Sequence, residues 1–75
     1  MDEQRQIFYM QTRLIRLAGE RWNKTTDQVI EIFRKNNVLD HIADCFGVFH
    51  VQGDEAVLDD IEYYIENKKG GSDNE

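Results

Sequence analysis

The chain has 75 residues, one cysteine, no proline and a formal net charge of −6. That is one small domain of marginal stability, without an internal disulfide framework and without room for two catalytic lobes around a cleft. The charge is lopsided, with seven Lys/Arg against five Asp/Glu over residues 1–35 and two against ten over residues 36–75; this acidity opposes a nucleic-acid backbone as partner.

The first expected element is a helix over "DEQRQIFYMQTRLIRLAGERW". Ile7, Met10, Leu14, Leu17, Ala18 and Trp22 recur at three- and four-residue steps, which makes one apolar stripe. Arg5, Tyr9, Arg13, Arg16 and Glu20 fall on the other side. Asp2 and Glu3 suit the positive end of the helix dipole, and Gly19 weakens the pattern slightly. In "NKTTDQ", Thr25 and Gln28 have the spacing of a capping box. A second helix follows through Val29, Ile30, Ile32 and Phe33 to "RKNN", where Asn36 or Asn37 can take a left-handed cap. A short third helix, "VLDHIADCF", groups Leu39, Ile42, Ala43 and Phe46 and stops at Gly47.

Beyond Gly47, "VFHV" reads as extended and "QGDE" as a turn, before a fourth helix from about 55 to 68 on Val57, Leu58, Ile61, Tyr64 and Ile65. A rival reading pairs "VFHV" with "AVL" as a hairpin and starts the last helix at Asp59. The expected fold is therefore mainly α: a compact bundle of four helices over residues 1–69, with the hairpin between helices three and four as the variant. A disordered tail is expected over residues 70–75. No apolar run approaches a membrane span, and "MDEQRQIF" is the wrong start for a signal peptide. The expected location is the cytoplasm.

Both histidines and the cysteine fall within "HIADCFGVFHV". His41 and Cys45 share a helical face, and His50 or Asp44 would have to complete a zinc set, yet no CxxC or HxxxH pair anchors one. A Cys–His nucleophile needs an activated thiolate, an oxyanion site and a pocket. The simpler reading is a bend whose phenylalanines plug the core. The acids of "DEAVLDDIE" are interrupted by apolar residues at helical spacing, unlike a calcium loop. Neither an enzyme nor a cofactor is expected.

Binding remains. Tyr63 lies off the apolar stripe of the last helix, among Asp59, Glu62 and Glu66, as an aromatic anchor with an electronegative rim would. Tyr9, between Arg5, Arg13 and Arg16, is a second contact of opposite sign, which would also allow two-fold or head-to-tail self-association into a homo-oligomer. The competing class is a DNA-binding regulator of winged-helix type, with helices two and three as the helix-turn-helix; its recognition helix would offer Asp40, His41 and Asp44 to the bases.

Across residues 5 to 68, the succession "IFRKNNVLDHI", "FHVQGDE" and "LDDIEYYI" resembles a family of short bacterial proteins catalogued as a domain of unknown function. The family pattern has a threonine between the histidine and glutamine of His50 and Gln52; Val51 stands there, so a hydroxyl role at that position is not carried over. The resemblance implies an accessory, antitoxin-like protein whose partner is an ADP-ribosyltransferase-like toxin encoded beside it. The expected docking face is then the last helix, with Asp59, Asp60, Glu62, Tyr63 and Glu66.

Overall fold

The computed structural model of the chain describes residues 2–73, and side chains as far as residue 68. Five helices are present among these residues: α1 (Glu3–Trp22), α2 (Thr26–Lys35), α3 (Val38–Asp44), α4 (Phe46–Phe49) and α5 (Asp54–Asp73).

Helix α1 opens on Asp2, whose carboxylate accepts the Gln4 N–H, satisfying one of the orphan donors of the first turn. It closes on Asn23 in the left-handed conformation, with φ 56°. The Thr25–Gln28 capping box forms with both of its hydrogen bonds, so the "NKTTDQ" break is built as the spacing predicts. Asn37 takes the left-handed position between α2 and α3, with φ 58°.

The core gathers one face of every element. Met10, Leu14 and Ala18 come from α1, Val29 and Phe33 from α2, Val38 and Ile42 from α3, Phe46 and Phe49 from α4, and Val57, Leu58, Ile61 and Ile65 from α5. Helix α1 is the hub and touches α2, α3 and α5. The expected stripe of α1 is the buried one, with Ile7, Leu17 and Trp22 packed at its margin.

Two expectations fail between residues 45 and 58. The bundle has five helices rather than four, and no strand or hairpin is seen among the described residues. "VFHV" is not extended: Phe46–Phe49 is one helical turn, with the Phe49 N–H on the Cys45 carbonyl at 2.8 Å and the His50 N–H on the Phe46 carbonyl at 2.9 Å. The reason is the three-residue gap between two phenylalanines. An extended backbone would turn Phe46 and Phe49 to opposite faces, whereas a helical turn sends both into the core, leaving 7% and 3% of their surfaces exposed. The third helix accordingly breaks at Cys45, with φ −100° and ψ 10°, and Gly47 sits inside the next turn rather than ending the last.

The last helix starts at Asp54, next to the expected start at about 55, and not at Asp59 as the rival hairpin reading would have it. It runs past the expected end at 68 to Asp73. The end of the tail expected over 70–75, residues 74 and 75, lies outside the described residues. No helix among the described residues is long and apolar enough to cross a membrane.

Candidate functional site: the acidic face of α5

Steps of four, three and four residues place Glu55, Asp59, Glu62 and Glu66 on one stripe of α5. That stripe borders α1, and a single cation from α1 meets it. Arg21 Nη1 donates to Asp59 Oδ1 at 2.6 Å and to Glu62 Oε1 at 3.2 Å, while Nη2 donates to Glu55 Oε1 at 2.7 Å. The indole N–H of Trp22 donates to the other Glu62 oxygen at 2.6 Å. A guanidinium suits this task because its rigid fork serves several carboxylates at once. The hydrogen bond that Arg21 donates to Asp59, then the one it donates to Glu55, raise the Arg21 pKa above its ordinary value. One positive charge against three negative ones still leaves the cluster anionic, and Glu66 lies exposed beyond it.

Upstream, Arg13 forks onto Asp54, Nε to Oδ2 at 3.0 Å and Nη2 to Oδ1 at 3.2 Å. Residue 13 thus lies beside 54 and residue 21 beside 59 and 62, so α1 and α5 run side by side in the same direction.

The five residues expected to form the docking face divide. Asp59 and Glu62 are held by Arg21. Asp60 lies on the far side of Tyr63, where its Oδ2 is 3.0 Å from His41 Nε2. Tyr63 stands out from the helix with 70% of its surface exposed, and Glu66 is exposed beside it. The sequence reading missed Arg21. Its signal was available: seven residues after Leu14 and three after Ala18, it continues the line of the buried stripe at the end of α1 while staying exposed itself, which puts a cation within reach of the helix that packs there.

His41 is fixed on all sides. Its ring stacks on Tyr64 at 3.8 Å between centroids and 10° between planes, and meets Phe49 edge-on at 5.5 Å. With Nε2–H donated to Asp60, the Nδ1 lone pair faces the Cys45 sulfur 3.8 Å away. Thiol, imidazole and carboxylate therefore stand in the order of a nucleophilic triad. The thiol is tuned the wrong way for one: burial, then the charges of Asp60 and Asp44, push the Cys45 pKa up, whereas a reactive cysteine has it lowered. His50 turns away, its Nδ1 donating to the Phe46 carbonyl at 3.0 Å. Among the described residues, no three His, Cys, Asp or Glu side chains converge as a metal site would require.

The raised thiol gives a sign that can be measured. The fold favours neutral Cys45, so its contribution to stability is whole below the unfolded thiol's ordinary pKa and is lost as pH rises through the higher folded value. Alkylation of the folded chain by iodoacetamide should rise at higher pH than alkylation of the urea-unfolded chain. Coincident pH profiles would contradict the assigned burial.

A family model described as "Protein of unknown function (DUF3791)" matches residues 9–68. No curated protein and no solved structure matches the chain.

Proposed function

We propose, from the premise that the chain belongs to the DUF3791 family, that it is a non-enzymatic protein-binding module whose acidic α5 face docks on a basic surface of another protein. The observation that carries this reading is Tyr63, 70% exposed on the outward side of α5 with Asp59, Asp60 and Glu66 around it. Exposed aromatics of this kind concentrate binding energy when a partner covers them, and the surrounding charge steers the encounter. Arg21 and His41 fix four of the acids, Glu55, Asp59, Glu62 and Asp60, before any partner arrives, which lowers the entropy lost on docking.

The family resemblance makes an ADP-ribosyltransferase-like protein the first partner to test, with this chain as its antitoxin-like companion in a bacterial cytoplasm. No cofactor enters that role. The DNA-binding alternative draws on one observation: only Asn36 and Asn37 separate α2 from α3, close to helix-turn-helix spacing. Against it, α3 exposes Asp40 and Asp44.

The test must avoid Asp59, Glu62 and Asp60, because reversing them would also break contacts that join α5 to α1 and α3. Tyr63 and Glu66 are the clean probes. With the purified ADP-ribosyltransferase-like protein on a biosensor, Tyr63→Ala should weaken binding by at least ~2 kcal/mol, about thirtyfold. Glu66→Lys should slow association and flatten its salt dependence. Wild-type binding that neither change alters would refute the assigned face, and a low-salt gel shift with operator DNA would favour the alternative.

A further inference from the structure

Helices α1 and α5 lie side by side and point the same way, as the Arg13–Asp54 and Arg21–Asp59 pairs fix. Their outward surfaces join into one face that carries opposite charge at its two ends. At the α1 end, Tyr9 is 50% exposed among exposed Arg5, Arg13 and Arg16. At the α5 end, Tyr63 is 70% exposed beside exposed Asp59 and Glu66. Tyr9 is one turn before Arg13 and Tyr63 one turn after Asp59, so the two rings are displaced from each other along the helices as well as across them.

We infer that this face is the contact between two copies of the chain, related by a two-fold axis crossing α1 and α5 midway between the tyrosines. A face that is positive at one end and negative at the other is complementary to itself about such an axis. The rotation lays Tyr9 and its arginines on the second copy's Tyr63 and carboxylates, then repeats the same contact at the other end. It also reverses the helix direction, so the second copy's α5 runs antiparallel to α1. Arg5, four residues before Tyr9, comes opposite the second copy's Glu66, three residues after Tyr63. Two chains of net charge −6 repel at long range, and this arrangement is one that answers the repulsion locally, with arginine forks on carboxylates and aromatics between them. The second copy covers the acidic face that a different protein would use, so dimer and docked partner exclude each other.

Arg5 and Glu66 make the test, because neither takes part in the ion pairs found among the described residues. Sedimentation of the pure full chain at submillimolar concentration should give twice the chain mass. Arg5→Glu alone sets like charges opposite each other at both ends of the two-fold contact, and so does Glu66→Arg alone; each should sediment as a monomer with the wild-type circular dichroism spectrum. Mixing the two monomeric variants should restore the doubled mass, since both contacts then carry opposite charges, and the double variant should dimerise by itself. A wild type that stays monomeric, a mass that grows beyond two copies, single variants that still dimerise, or a mixture that stays monomeric would each overturn the inference. Arg5→Glu keeps the acidic face whole, so its capture of a basic partner tests the docking role separately from the dimer.

Discussion

Phe33→Ala should remove about 3–5 kcal/mol of stability, enough to unfold much of the protein. Phe33 is fully buried. Its ring meets that of Trp22 edge-on at 6.1 Å and 71°, a geometry that adds to what simple burial contributes. It is also the residue through which α2 reaches the end of α1 and the beginning of the turn to α3, so neighbours on two sides would have to close the void. A domain of this length has roughly 4–11 kcal/mol in all, and the substitution takes about a quarter of that at least. Urea denaturation followed by circular dichroism should show the midpoint falling steeply or no folded baseline at all. Ile30→Ala on the same helix is the control: Ile30 is 40% exposed, and its loss should cost about 1 kcal/mol or less. Similar losses at the two positions would mean that the inner face of α2 has been misassigned.

The same helix shows what a single sequence makes legible. Val29 and Phe33 recur at four residues, Thr25 and Gln28 have capping-box spacing, and Arg34 and Lys35 crowd the far end; those signals agree with one another, and the helix forms where they put it. The long stripe of α1 is equally explicit. Residues 45–58 were harder because the informative interval is too short. Phe46 and Phe49 are three apart with Gly47 between them, and a glycine there reads as a stop unless it is known that both rings face one core. That knowledge belongs to the tertiary structure, since Ile42, Phe46 and Phe49 share one buried cluster with residues of α1, α2 and α5.

The candidate site was legible in its charge and not in its connections. Tyr63, Asp59 and Glu66 could be placed on an outward surface from the apolar period of α5 alone. That Arg21 gathers Glu55, Asp59 and Glu62, and that His41 takes Asp60, depends on which helix lies beside α5, and no local pattern states that. The consequence is practical. Surface acids that look interchangeable in the sequence divide into those that tie α5 to its neighbours and those that only face outward, and only the second group can be altered to test docking without also loosening the fold.

Gly19 carries the same lesson with the sign reversed, and Gly19→Val should cost about 1–3 kcal/mol. In a helix interior, glycine is ordinarily a defect, and replacing it with alanine gains close to 1 kcal/mol. Here a Cβ on residue 19 would lie 3.0 Å from the Lys24 carbonyl oxygen and 3.8 Å from Val29 Cγ2. The oxygen cannot easily retreat. The Lys24 N–H is held by the Gly19 carbonyl at 3.0 Å, and the Thr25 N–H, which belongs to the same peptide unit as that oxygen, is held by Gln28 Oε1 at 2.9 Å. The capping box that starts α2 is therefore what makes the end of α1 intolerant of a side chain. Alanine should forfeit its usual gain, and valine, with branched methyls aimed at Val29 and at the turn, should lose more. Relaxing the clamp supplies the check: with Gln28→Ala in the background, the oxygen can shift and the penalty of Gly19→Ala should shrink. An alanine variant more stable than wild type, with the capping box intact, would show that the turn yields and that Gly19 is only the weak point its local sequence suggests.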